Sequence, residues 1–200
     1  MQIDIGVLTV VAASLVALTA RAGWRLAARR ASSQVAAVVA LVWWGLLALP
    51  AVAIEVQHHR TQATATAVTR LVSGDPQARA VCTRRTADML DVSPYAGRVM
   101  WDTPNVAVLR AGTCSDLAAW LRSDRSAPTL KQVMALHVLA HEAVHVAGVR
   151  SESVAECQAM QWHTRVAEYL GASPDVAARM AAIYRTQVFP HVPLEYRGGC

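Results

Sequence analysis

Two stretches near the start of the chain carry no charge, Ile5 to Ala20 and Val35 to Ile54. The second is long enough to cross roughly 30 Å of hydrocarbon as a helix. The first reaches that length with Ile3 or Trp24 at its edges. Asp4, with no Lys or Arg beside it, is unlike the start of a secretory signal. The pattern predicts a transmembrane hairpin over residues 1–55, with helices at about 5–22 and 35–54. The loop 23–34 and its edge carry Arg21, Arg25, Arg29 and Arg30. Basic loops stay in the cytoplasm, so the N-terminus and everything after Glu55 are expected outside, anchored in the bilayer.

Beyond the hairpin the pattern is that of a small helical domain. Residues 56–74 read as a juxtamembrane helix or stalk. Asp75-Pro76 reads as a helix start, N-cap then N1, with the helix running through Cys82 to about Leu90. Residues 93–97 read as a turn. Arg98 to Trp101 and Val106 to Arg110 are β-prone runs around Asp102-Thr-Pro-Asn105, which predicts a short hairpin. Ser115 to Leu121 is a short helix. Leu130, Val133, Met134, Leu136, Val138, Leu139, Val144 and Val146 give the next helix its apolar body. Thr129 and Gln132 form a capping box at its start, and Gly148 stands where a left-handed cap belongs. A further helix starts at Ser151 and ends near Leu170, with Gly171 as its cap. Ser173-Pro174 opens another that stops before Pro190. The expected class is mainly α (α+β), with residues 75–200 forming the outer domain.

Composition agrees with this division. Hydrophobic residues make up 54% of the chain. From Val56 onward there are 15 Arg or Lys against 12 Asp or Glu, too mild an excess for a nucleic-acid partner. All four cysteines, Cys82, Cys114, Cys157 and Cys200, lie in the part expected outside. An even count there points to two disulfides. Of the three possible pairings, Cys82–Cys114 and Cys157–Cys200 are favoured. Trp101, Trp120 and Trp162 read most simply as core residues.

The chemistry is concentrated in His141-Glu-Ala-Val-His145. On a helix, residues i and i+4 share a face, so both imidazoles can point at one metal ion. Glu142 sits where it can take a proton from a water on that metal. A catalytic zinc site needs a third protein ligand. Glu152 and Glu156 follow at i, i+4 on the next helix. A short turn packs the two helices antiparallel, which brings Glu152 level with His145 and Glu156 level with His141.

With these residues the chain resembles the gluzincin-type zincin metallopeptidases, in which HExxH is followed by Glu-x-x-x-Asp/Glu on a second helix. More narrowly, it resembles small membrane-anchored zinc proteases of actinobacteria. The likeness covers about His141 to Gln161. It implies one Zn2+ held by His141, His145 and Glu152, with Glu156 orienting His141. Glu156 as the third ligand stays open as the alternative. A metzincin pattern fits through Gly148 and then fails, because Ser151 stands where that motif wants His or Asp.

The resemblance also implies an edge strand that binds extended substrate, and a polypeptide substrate in the cell envelope or outside the cell. Glu142 is the expected general base. His163 is the candidate donor for the developing oxyanion, with Tyr169, Tyr184, His191 and Tyr196 also in view. His137, one turn before His141, is expected to pack or to support it. The alternative function is a zincin-like module that binds zinc and a partner without catalysis. Glu142 is the residue such a module would not need.

Overall fold

The computed structural model describes residues 6–28, 33–88, 95–198 and 200. The chain divides into two units, Met1–His59 and Arg60–Cys200.

The first unit holds α1 (Val7–Ala27) and the start of α2 (Gln34–Ser73). Both helices are long and apolar enough to cross a membrane. Their large side chains, among them Val7, Trp24, Val35, Trp43 and Leu49, are exposed, while the buried positions are Ala12, Ala22, Ala48, Ala51 and the polar Glu55. Large residues outward and small ones inward is the arrangement of helices packed in lipid. Thr9 Oγ1 donates to Glu55 Oε1 at 2.6 Å. Arg29 and Arg30 of the expected cytoplasmic loop lie outside the described residues.

In the second unit, residues 60–73 are the last turns of α2, not a separate stalk. Ala65, Val68 and Val72 on this stretch are buried in the core. Its polar side chains cover a strand edge. Thr66 Oγ1 accepts from Ala80 N at 3.0 Å and donates to Ala80 O at 3.1 Å, and Gln62 Oε1 accepts from Cys82 N at 3.1 Å. An exposed row of backbone groups is thereby satisfied.

That strand, β1 (Arg79–Cys82), corrects the helix expected from Asp75 to Leu90. Gly74 turns left-handed, with φ 71°, and ends α2. Asp75 Oδ1 accepts from Gln77 N at 2.7 Å, a local turn instead of a helix cap. Ala78, Ala80 and Cys82 then alternate inward, the period of a strand. A single four-residue turn, α3 (Arg85–Asp88), follows; residues 89–94 lie outside the described ones.

The expected hairpin is present as β2 (Gly97–Val99) and β3 (Val106–Leu109), paired antiparallel with Arg98 opposite Val108. β1 joins β3 in parallel with Cys82 opposite Leu109, so the sheet order is β1-β3-β2. The fold is mainly α with this small β part.

Helices α4 (Ala111–Arg122), α5 (Leu130–Val146), α6 (Glu152–Tyr169) and α7 (Pro174–Ile183) build the rest. Leu117, Trp120, Leu136, Leu139, Val166 and Met180 meet in one core. Past α7 come a π turn (Tyr184–Val188), a 3-10 turn (Phe189–His191) and α8 (Leu194–Arg197). Both favoured disulfides are present. Cys82–Cys114 ties β1 to α4, and Cys157–Cys200 ties α6 to the tail.

Candidate metal centre

The α5–α6 hairpin positions every residue of the site. Thr129 and Gln132 close a reciprocal cap at the start of α5. Gly148, at φ 98°, reverses the chain after it, a conformation side chains resist. Ser151 accepts from Val154 N and starts α6. Two stripes face each other as a result. His137, His141 and His145 lie at i, i+4 and i+8 on α5. Glu152, Glu156 and His163 lie on α6.

At one end of this interface three atoms converge. His141 Nε2 lies 3.0 Å from His145 Nε2 and 3.1 Å from Glu152 Oε2, and His145 Nε2 lies 3.3 Å from Glu152 Oε2. The opposite ring nitrogens are already committed. His145 Nδ1 faces the Val149 carbonyl at 2.6 Å, and a carbonyl only accepts, so this nitrogen carries the proton. His141 Nδ1 donates to Glu156 Oε2 at 3.1 Å. Both Nε2 atoms therefore present lone pairs to each other and to a carboxylate. Three acceptors at this distance repel unless a cation or an extra proton lies among them. Tetrahedral ligands about 2.0–2.2 Å from an ion stand about 3.3–3.6 Å apart, close to the distances here. The triad can hold a metal ion.

The electrostatics carry the same message. Burial lowers the His141 pKa, but hydrogen bonds to Glu152 and Glu156 outweigh it and carry the group up to about 9. In the metal-free protein His141 thus holds the proton that separates the three acceptors. The hydrogen bond from His141 keeps the Glu152 carboxyl below its ordinary range.

Glu142 lies beside the triad, 6% exposed. Burial pushes its carboxyl up to about 7, against the pull of His141 and with a push from Glu152. Its Oε2 is buried and has no partner among the described residues. Gly97 of β2 makes room for it. A Cβ at position 97 would lie 2.7 Å from Glu142 Cγ and 2.8 Å from Oε1. Gly97→Ala is therefore expected to displace the carboxylate while leaving the triad intact. On the peptidase reading set out below, a misplacement of about 1 Å costs on the order of 100-fold in kcat. Metal content should match wild type, and parallel measurement of rate and metal stoichiometry checks both halves.

The second group lies behind His141. Glu156 Oε2 accepts from His137 Nε2 at 3.0 Å as well as from His141, and Oε1 accepts from the Tyr184 hydroxyl at 2.6 Å. Burial alone would raise this carboxyl. Hydrogen bonds from His137, His141 and Tyr184 overcome it and hold the group far below the ordinary range. The His137 and Tyr184 rings stack at 3.5 Å between centroids. His137 Nδ1 faces His163 Nδ1 at 3.4 Å. Burial, then the neighbouring His137 and Arg185, lower His163 to about 3, so it is neutral. His137, His141 and Glu156 also lie close enough to share an ion. Their atoms, however, are already satisfied by hydrogen bonds to one carboxylate, the arrangement that orients a metal ligand.

Expectation and structure part at several residues. His163 is 1% exposed and joins His137, away from the triad. Its Nε2 is buried with no partner among the described residues. Tyr184 spends its hydroxyl on Glu156. Trp120 is core, but Trp101 is 44% exposed. Its ring meets His145 edge-on at 6.0 Å, with the Arg150 guanidinium 5.0 Å from the ring centroid. Gly97 and the Val149 carbonyl carry no sequence signal; each acts through a contact between elements or a turn backbone, which no residue type announces.

No family model, no curated protein and no solved structure matches the chain.

Proposed function

We propose that the chain is a membrane-anchored, zinc-dependent peptidase of the gluzincin type, with its site outside the cell. One observation carries the reading: His141 Nε2, His145 Nε2 and Glu152 Oε2 converge at 3.0–3.3 Å beside a buried carboxyl oxygen with no partner of its own among the described residues. The orientation follows from the basic loop and from two disulfides, which persist in oxidising compartments. The edge strand β2, next to Glu142 through Gly97, is suited to pair with an extended substrate backbone.

His141, His145 and Glu152 would hold the zinc. Zinc in such a site lowers the pKa of a water and polarises a carbonyl. Glu142 Oε2 takes the proton of the attacking water and returns it to the leaving amine. A carboxyl near neutrality suits both transfers. Glu156 holds the His141 ring in place and fixes Nδ1 as its protonated nitrogen, and the Val149 carbonyl does the same for His145. A module that only bound zinc would gain nothing from burying an unpartnered carboxyl oxygen, which is costly.

The first test is metal analysis of the purified full chain, followed by digestion of a denatured-protein library. Stoichiometric zinc with chelator-sensitive cleavage supports the reading; absence of bound metal sinks it. A calorimetric prediction accompanies it. Zinc must displace the His141 proton, so uptake at pH 7 is expected to release about one proton per ion. Apparent affinity should climb about tenfold per pH unit and level off near pH 9. Titrations in buffers of different ionisation enthalpy measure the released proton directly.

A further inference from the structure

Hydrolysis of an amide needs a donor for the oxygen that gains charge on attack. Tyr184 is committed to Glu156; neutral His163 spends its one ring proton on His137 Nδ1, which leaves Nε2 without one to give. Tyr169 sits at the far end of α6 from Glu152, about 25 Å away at the helical rise. His191 is exposed in the 3-10 turn.

Tyr196 is different. Its ring centroid lies 5.6 Å from that of His141. Among the described residues no hydrogen bond holds its hydroxyl. A phenol keeps its proton at neutral pH, so this hydroxyl can donate.

The tail that carries Tyr196 is fastened to α6 beside the metal centre. Cys200 is bonded to Cys157, the residue after Glu156. Gly198 lies against Ser153, the residue after Glu152, with a Cβ there 3.8 Å from Ser153 Cβ. Between these anchors and the 3-10 turn, α8 has only four residues, closed by Tyr196 N donating to Pro193 O at 3.0 Å and Arg197 Nε to Val192 O at 2.7 Å. So short a helix does not hold its own position; it is held against α6, to which the disulfide ties its tail.

We infer that Tyr196 is a catalytic residue, giving its hydroxyl proton as a hydrogen bond to the developing oxyanion, and that Cys157–Cys200 is the clamp that positions it. The inference rests on the hydrolase reading, and the test separates the two. The full chain in detergent micelles, loaded with Co2+, is titrated with acetohydroxamate and followed by its visible spectrum; peptide cleavage is measured alongside. Tyr196→Phe is expected to weaken acetohydroxamate on the order of tenfold and to lower kcat on the order of 100-fold, with KM and cobalt content unchanged. The double variant Cys157→Ala/Cys200→Ala, which leaves Cys82–Cys114 intact, should reproduce both losses. Combined with Tyr196→Phe it should add nothing.

Unchanged acetohydroxamate affinity and unchanged kcat in Tyr196→Phe overturn the tyrosine's role. Losses that multiply in the combined variant, or a cysteine variant that also sheds cobalt, overturn the clamp. A chain that binds cobalt, binds acetohydroxamate through Tyr196 and cleaves nothing overturns the peptidase reading while leaving the tyrosine where it is placed here.

Discussion

Glu142→Gln is expected to keep its full complement of zinc and to lose peptide cleavage by about 10²–10⁴-fold. Glu142 is not one of the three converging atoms, so metal affinity should be nearly unaffected. The amide matches the carboxylate in shape but cannot accept a proton. Stability offers a second, independent readout. In the metal-free protein the Glu142 carboxyl is raised from an ordinary 4.5 to about 7 by burial. A buried acid with a raised pKa destabilises the fold once ionised. Its unfolded form has lost its proton above 4.5, whereas the folded form keeps one until about 7. Stability therefore falls with rising pH across that window. Glu142→Gln removes this slope. Its metal-free form should melt above wild type at pH 8, with the difference closing toward pH 5. Thermal unfolding at several pH values, with chelator present, measures it. A variant that cleaves like wild type while holding zinc would take the general base out of the mechanism.

What the sequence disclosed depended on how far apart the interacting residues lie. Thr129, Gln132, Gly148 and Ser151 act within a turn of where they stand, so the bounds of α5 and α6 are legible one residue type at a time. The stripe of His137, His141 and His145 against Glu152 and Glu156 follows from helical period plus a short connection. Asp75-Pro76 is a good local helix start and masks β1, whose partner, β3, begins only at Val106. Parallel pairing carries no local signature. Hydrophobicity alone points Trp101 to the core, whereas its half-exposed ring lies against His145 and Arg150. The approach of Gly97 to Glu142 and the reach of Tyr184 to Glu156 join residues tens of positions apart. No pattern in one chain announces such contacts.

The Glu156–Tyr184 contact leads to the expectation with the largest effect on stability. Glu156 is 2% exposed and is the acceptor for His137, His141 and Tyr184. Glu156→Ala leaves three buried donors without a partner. Each costs about 1–3 kcal/mol if left unmade, and the costs do not add fully because the cavity relaxes. Breaking a buried charged network by deleting one member costs about 3–5 kcal/mol, which for a domain of this size lowers Tm by roughly 10 °C or more. Zinc affinity should also fall by about 10–100-fold, because His141 loses the group that orients its ring.

Glu156→Gln separates the two effects. Its carbonyl can take the place of Oε2 and accept from both histidines, while its amide nitrogen can donate to the Tyr184 oxygen. Packing and most hydrogen bonds survive, and the negative charge does not. The Gln variant is thus expected to recover much of the lost Tm but little of the lost zinc affinity, since a neutral partner no longer raises the basicity of His141. If Gln restored metal affinity in full, the charge of Glu156 would be irrelevant to the centre and its role reduced to packing. If instead both variants lost all zinc while Glu152→Ala retained it, the ion would sit among His137, His141 and Glu156, and the third ligand would be the carboxylate now given the orienting role.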